Sequence, residues 1–182
     1  MSGNDDHTRF TDIVMPHLAD AYGLARWITG DRADAEDVVQ EACLRALRAI
    51  GSFAGGNARA WTLTIVRNTA YTWLGKNRPT LLVGVDDLEA VERAHAQRGT
   101  DLGASRTADP EAELIARADA ARLEAAIAAL PPPFRETLVL RDIQGLDYRE
   151  IAAVTEVPVG TVMSRLARAR SRLIETIGRD EP

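Results

Sequence analysis

The chain has 182 residues, 46% of them hydrophobic and 27% charged, a balance typical of globular proteins that excludes wholesale disorder. Its formal net charge of −5 is unusual for a protein that holds DNA unaided. The single Cys43 excludes an internal disulfide and predicts a reducing, cytoplasmic location. Three scattered histidines offer no metal-ligand spacing. The polar N-terminus is unlike a signal peptide, and no apolar run reaches the length of about 18 residues that a membrane-spanning helix needs. We therefore expect no metal, no cofactor and no membrane insertion.

The N-terminal part of the chain has helical spacing of its apolar residues, and no strand pattern of useful length occurs anywhere. A first helix is predicted over about 10–29, with Pro16 placed early in it or kinking it. Gly30 suits the end of that helix, and Asp31 is a good N-cap for a second helix that reaches about Ile50. Asn57 is the expected cap of a third helix, which extends to about Asn77. The fold class predicted from this pattern is all-α.

The middle of the chain is acidic. Residues 80–125 contain ten acidic and five basic side chains, which accounts for the whole net charge. Residues 80–109 are read as a linker, with one short helix near 87–95. Asp109, followed by Pro110, then marks a strong helix start. The predicted organisation is two small helical domains, 1–79 and 110–182, joined by the acidic linker 80–109.

The C-terminal part contains a short helix at 148–154, a turn through Val157-Pro158 and a basic helix at about 160–177. This order is typical of a helix-turn-helix. On the last helix, Val162, Leu166, Ala169 and Leu173 form a stripe expected to be buried. The opposite side of this helix carries Thr161, Ser164, Arg165, Arg168 and Arg172, and the preceding helix contributes Arg149. Arginine can donate two hydrogen bonds to a guanine edge or bind phosphates, although a simply solvated helix face would have the same pattern.

Two further groups of side chains suggest binding surfaces. Acidic and polar residues share one patch on the second helix, which we call the acidic face: Asp34, Asp37, Gln40, Glu41 and Leu44. Helix-dipole complementarity alone explains part of this pattern. The third helix combines aromatic, basic and amide side chains, which suit unpaired bases and phosphates of a melted DNA strand. Its candidates are Arg67, Asn68, Tyr71 and Lys76.

Two blocks of sequence resemble conserved regions of one family. Residues 130–136 (LPPPFRE), 147–152 (DYREIA) and 157–170 (VPVGTVMSRLARAR) resemble region four of bacterial sigma factors. Residues 30–42 (GDRADAEDVVQEA) and 59–68 (RAWTLTIVRN) resemble region two. Together they are similar to the extracytoplasmic-function (ECF) group of the sigma-70 family, and they stand in the family's order.

The resemblance implies a non-enzymatic subunit of RNA polymerase. In that family the acidic face docks on the clamp of the largest subunit of the polymerase core, and the flap is a further contact. The resemblance also implies that the −10 promoter element is opened and read by the residues that we call the −10 face: Arg67, Asn68, Tyr71 and Lys76. It implies that the −35 element is read by the residues that we call the −35 face: Arg149, Thr161, Ser164, Arg165, Arg168 and Arg172. Control by an anti-sigma factor is also implied. Such docking would explain the net charge, because the polymerase would supply most of the affinity for DNA.

Two other functions remain open at this point. A stand-alone helix-turn-helix regulator would explain the C-terminal domain but leaves the acidic face without a role. A sigma mimic that binds an anti-sigma factor should lose the basic residues that this chain keeps. The sequence also departs from the family. Glu156 stands where the turn often has glycine, so the turn must hold a strained non-glycine residue, and Met163 replaces a basic residue. Thr72, Trp73 and Gly75 replace polar and basic residues near the end of the third helix. The departures at Glu156 and Met163 leave the −35 specificity undetermined.

Overall fold

The computed structural model describes residues 2–82 and 110–179, with side chains over 5–82 and 117–178. The predicted linker helix at 87–95 and the predicted cap Asp109 lie outside the described residues. Within the described part every regular element is helical, as the all-α prediction requires. The α-helices are α1 (Ser2–Ile13), α2 (Leu18–Thr29), α3 (Arg32–Ala49), α4 (Ala58–Asn77), α5 (Pro110–Ala128), α6 (Pro132–Leu138), α7 (Tyr148–Thr155) and α8 (Val159–Arg179).

Local capping chemistry sets the borders of the N-terminal helices. Gly30 ends α2 in the left-handed conformation (φ 74°), which glycine adopts without the steric cost of a Cβ atom. The Asp31 carboxylate then accepts a hydrogen bond from the backbone N–H of Asp34 at 3.1 Å and caps α3. Asn57 caps α4 in the same way, through the N–H of Ala60 at 2.9 Å. These three predictions are confirmed.

The predicted first helix over 10–29 is wrong in its continuity. The chain has an α-helix to Ile13, a 3₁₀ turn over Met15–His17 and then a second α-helix. Pro16 lies inside the 3₁₀ turn, because its ring lacks an N–H and clashes with the carbonyl one turn earlier. The break lets α1 pack against α3 while α2 packs against both α3 and α4.

The C-terminal helices differ from the prediction in one place. From the sequence, a helix is expected over about 134–144, after the three prolines at 131–133 and before Gly145. In the structure this helix begins at Pro132, and residues Val139–Ile143 form a π-turn. In that turn the N–H of Gln144 donates to the carbonyl of Val139 at 2.9 Å. The π-turn ends the helix and places Leu146, which is fully buried, in the core.

One apolar core runs through both domains. Leu63, Val66 and Leu74 of α4 belong to the same buried cluster as Leu140 and Val154 of the C-terminal domain. Leu81 and Leu82, at the start of the predicted linker, pack against this cluster. Burial of apolar side chains is the main favourable contribution to folding, so the two domains stabilise each other directly in this arrangement.

Candidate polymerase and promoter interfaces

The acidic face lies on the outer side of α3. Asp37 and Gln40 are exposed, and Leu44 is 50% exposed, a large fraction for a leucine. Val38 and Ala42 of the same helix are buried, so the face is held in place by the core behind it. Asp37, Gln40 and Leu44 are therefore all open to contact with another protein.

Two members of the acidic face already have partners. Asp34 is half-buried and forms an ion pair with Arg78 at 2.6 Å. Burial raises the pKa of the Asp34 carboxyl, and the Arg78 guanidinium opposes that rise. Glu41 accepts a hydrogen bond from Arg45 at 2.8 Å, which lowers the pKa of its carboxyl. The part of this face most available to a partner is therefore Asp37, Gln40 and Leu44.

The −10 face on α4 is divided. Asn68 and Lys76 are exposed, whereas Arg67 and Tyr71 turn toward the C-terminal domain. There the Glu136 carboxylate of α6 pairs with the Arg67 guanidinium, and the Tyr71 hydroxyl donates to Glu136 Oε2 at 2.9 Å. The Arg67 guanidinium also lies over the Tyr71 ring, 4.8 Å from its centroid.

Burial governs the charges in this contact. The Glu136 side chain is only 1% exposed and that of Arg67 only 18%. Burial raises the pKa of the Glu136 carboxyl, while Arg67 and Tyr71 stabilise its ionised form. Burial alone would lower the pKa of Arg67, but Glu136 holds it above its ordinary value. The pKa of Tyr71 is also raised well above its ordinary value, chiefly by burial and then by Glu136, so the phenol keeps the proton that it donates.

The helix-turn-helix is built from α7 and α8. Asp147 caps α7, accepting from the N–H of Arg149 and of Glu150 at 2.8 Å, while the Glu150 carboxylate accepts from the Asp147 N–H at 2.7 Å. This reciprocal capping box fixes the start of α7. The turn passes through Glu156 in the left-handed conformation (φ 56°, ψ 38°), the one non-glycine residue with positive φ among those described. The sequence therefore predicted correctly that Glu156 occupies a strained position.

The −35 face is largely open to solvent. Val162, Leu166 and Ala169 are buried, as their spacing predicts, whereas Leu173, the fourth member of the predicted stripe, is only partly buried. The residues of the −35 face with high exposure are Arg149, Ser164 and Arg168, and those of intermediate exposure are Thr161, Arg165 and Arg172. The Arg172 guanidinium stacks over the Phe134 ring at 5.3 Å.

Two neighbours complete the description of α8. Arg170 forms an ion pair with Asp142 at 2.6 Å, so it ties α8 to the π-turn. Met163 is 53% exposed next to Ser164. An exposed apolar side chain on a helix that reads bases can contact the methyl group of thymine.

Sequence reasoning missed Glu136, the residue with the greatest effect on the −10 face. Its one sequence signal is a single acid between the apolar Phe134 and Leu138 in a short helix. Its partners lie more than 60 residues away, so no local pattern identifies them.

Two classes of site receive no support from the described residues. Over the described side chains, no group of three His, Cys, Asp or Glu could hold a metal ion. No helix in the described ranges is long and apolar enough to cross a membrane.

Both domains match known families in the order that the sequence predicts. Residues 13–80 match the family described as Sigma-70 region 2, and residues 120–173 match Sigma-70, region 4. Together the two matches cover more than half of the chain.

Curated relatives agree with these matches. The chain is 34% identical over 172 residues to the RNA polymerase sigma-H factor of Pseudomonas aeruginosa, covering 92% of this chain and 86% of that protein. It is 36% identical over 144 residues to the ECF RNA polymerase sigma-E factor of Escherichia coli K12, covering 77% of this chain and 72% of that protein.

Solved structures share the fold. The sigma factor RpoE from Bartonella quintana, crystallised with the anti-sigma factor NepR, superimposes with a TM-score of 0.70 at 24% identity, over 94% of this chain and 98% of that one. CnrH, solved with the cytosolic domain of CnrY, gives a TM-score of 0.64 at 24% identity, over 94% of this chain and 89% of that one.

These findings define a bacterial initiation factor with a region 2 domain followed by a region 4 domain. The chain belongs to the sigma-70 family of RNA polymerase sigma factors and, within it, to the ECF group. It acts in transcription initiation, as a subunit that binds core RNA polymerase and promoter DNA.

Proposed function

We propose that this protein is a cytoplasmic, non-enzymatic ECF sigma subunit whose three faces have separate tasks. The acidic face of α3 docks on the clamp of the largest subunit of core polymerase. The −10 face of α4 holds the melted strand, and the −35 face of α8 lies in the major groove of the −35 element. The functional units are residues 1–79 and 110–182, joined by the linker 80–109, and the second unit also meets the flap.

The observation that carries the proposal is the exposure of Asp37, Gln40 and Leu44 on a helix whose opposite side is fully buried. A stand-alone regulator has no need for this surface. Carboxylates that lose water on docking against basic residues make strong pairwise contacts, and truncation of one partner typically costs about 2–5 kcal/mol. Substitutions on an exposed face usually change the free energy of unfolding by less than about 0.5 kcal/mol.

The test is the double variant Asp37→Ala with Glu41→Ala, assayed for assembly with core polymerase. We expect loss of core binding with unchanged helicity and melting temperature. The matched control is Asp12→Ala with Glu36→Ala, which removes the same charge from exposed positions outside the acidic face. Assembly of the first double variant at wild-type affinity would contradict the assignment of the acidic face. Tight, sequence-specific promoter binding without polymerase would favour a stand-alone regulator.

We also propose that an anti-sigma factor regulates this chain. Support comes from the family resemblance and from the two structural neighbours, whose descriptions name complexes of this kind. Purification from the native organism, followed by identification of proteins that bind the free sigma subunit but not its complex with core polymerase, tests this part of the proposal.

A further inference from the structure

The first turns of α8 carry no charged side chain. Residues 159–164 have the sequence VGTVMS, and the first arginine of the helix is Arg165. In a helix-turn-helix, the N-terminal residues of the recognition helix contact the edges of the bases. Base contacts from this stretch of α8 must therefore come from hydroxyl groups, from apolar side chains or from both.

Met163 has the longest exposed side chain of this stretch, with an exposed fraction of 53%. Gly160 and Ala167 lie one turn before and one turn after it on the same side of the helix, and both are exposed. A Cβ atom added at Gly160 would meet nothing within 4 Å. These two small neighbours leave the Met163 thioether uncovered and let the helix backbone come close to the floor of a groove.

The hydroxyl group next to Met163 is already used as a donor. Ser164 Oγ donates to the carbonyl of Thr161 at 3.0 Å, so the Ser164 oxygen is left as an acceptor for any other partner. Guanine presents only acceptors, N7 and O6, at its major-groove edge. Neither Ser164 nor a thioether sulfur supplies the donor that guanine needs. Met163 and Ser164 therefore do not match a guanine edge.

Thymine matches Met163 better than any other base does. Its C5-methyl is the one apolar group among the base edges of the major groove. Contact between the Met163 side chain and this methyl removes apolar surface of both partners from water. Contact with another base edge would instead desolvate polar groups without a hydrogen bond in return. The flexible, unbranched methionine side chain can also adjust its shape to the methyl group.

We propose that Met163 is a specificity-determining residue of this sigma factor, which selects thymine at one position of the −35 element through contact with the thymine methyl group. The inference rests on the proposed function of α8, because it requires this helix to lie in the major groove. Met163 neutralises no phosphate in this role. Its effect is therefore on sequence preference and not on the salt-dependent affinity for the DNA backbone.

The experiment first finds the preferred promoter and then removes single methyl groups from it. Holoenzyme, assembled from core polymerase and the full-length chain, selects from a pool of duplex promoters that are randomised at both elements. Each thymine of the selected −35 segment, on either strand, is then replaced singly by uracil in synthetic duplexes. Uracil keeps every hydrogen-bonding group of thymine and lacks only the methyl, so the loss of affinity reports on that methyl alone.

For wild type we expect one thymine whose replacement by uracil weakens holoenzyme binding about fourfold, the effect of burying one methyl group. Met163→Gln keeps the length of the side chain but makes its end polar, so it should bind the thymine and uracil duplexes equally at that position. Met163→Leu keeps an apolar end and should retain at least about a twofold difference. The matched control is Ile174→Gln, which replaces a 71% exposed apolar side chain further along the same helix and should discriminate as wild type does.

Three results would overturn the proposal. The first needs no variant: a selected −35 segment in which no thymine methyl affects binding of wild type. The second is a Met163→Gln variant that still discriminates thymine from uracil as wild type does; if Thr161→Ser then loses the discrimination, the methyl contact belongs to Thr161. The third is an equal loss of discrimination in Ile174→Gln, which would show a general effect of removing an apolar side chain from α8. If Met163→Gln loses helicity, Met163→Ala decides by the same criteria.

Failure of the proposed function of α8 is recognised separately, with Arg168→Ala in the same assay. If α8 lies in the major groove of the −35 element, this variant weakens binding of the thymine and the uracil duplexes alike. No loss with Arg168→Ala, combined with no preferred −35 sequence in the selection, would refute the proposed function of α8. A loss with Arg168→Ala, combined with discrimination that Met163→Gln keeps, would refute the role of Met163 alone.

Discussion

Replacement of Glu156 by glycine should stabilise the protein. The left-handed backbone of Glu156 costs an ordinary residue about 1–2 kcal/mol, which glycine does not pay. Glycine loses more backbone entropy on folding, a cost of about 0.5–1 kcal/mol. The difference predicts a gain of about 0.5–1 kcal/mol in the free energy of unfolding, or about 1–4 °C in melting temperature for a chain of this size.

Charge is the confounding factor, because Glu156 is an acid at the C-terminal end of α7, where the helix dipole disfavours it. Glu156→Ala removes the charge but keeps the strain, so it is the matched control. In urea unfolding followed by circular dichroism, the free energy of unfolding should be higher for Glu156→Gly than for Glu156→Ala. The value for Glu156→Asn should lie between them, because asparagine tolerates this conformation. Equal stability of the glycine and alanine variants would refute the argument from strain.

Two further predictions concern α8 and the cap of α3. Arg168→Ala should weaken binding of polymerase holoenzyme to promoter DNA by about 1–3 kcal/mol. Arg170→Ala should have a smaller effect, because the Arg170 guanidinium is paired with Asp142. Equal losses of affinity for the two variants in footprinting titrations would refute the assignment of Arg168. Asp31→Ala should lower the melting temperature at pH 7, because the Asp34 N–H stabilises the ionised carboxylate and lowers its pKa below 3.8. This contribution to stability is present above the ordinary carboxyl pKa and is lost as the pH falls through the lowered pKa of Asp31. The melting temperatures of wild type and Asp31→Ala should therefore converge in acid. A difference that stays constant with pH would show that ionisation of Asp31 is not involved.

The caps and the helix faces could be predicted from the sequence because they depend on neighbours within one turn. Asp31, Asn57 and Gly30 act through backbone groups three or four residues away. The burial of Val162 and the exposure of Arg168 follow from their spacing along one helix. Family membership likewise followed from contiguous blocks of residues.

The state of the −10 face could not be predicted, because it depends on residues far apart in sequence. Arg67 and Glu136 are separated by 69 positions and by the linker. In its own stretch of sequence, each of these two residues is indistinguishable from a charged side chain that is solvated or binds a ligand. Only the packing of α4 against the C-terminal domain brings them together. The π-turn after Leu138 is also a tertiary outcome, since it places Leu146 in the core that the two domains share.

Leu82 defines where the tether between the domains begins. Its side chain packs against α4, with Cδ1 3.6 Å from the position that a Cβ atom would take at Gly75. The connection to Pro110 therefore consists of residues 83–109, whose maximum length is roughly 90–100 Å. Promoter elements centred at −10 and −35 are 25 base pairs apart, or about 85 Å along the duplex. Because the fully extended tether is only slightly longer than that span, it limits how far apart two elements can stand while one chain holds both.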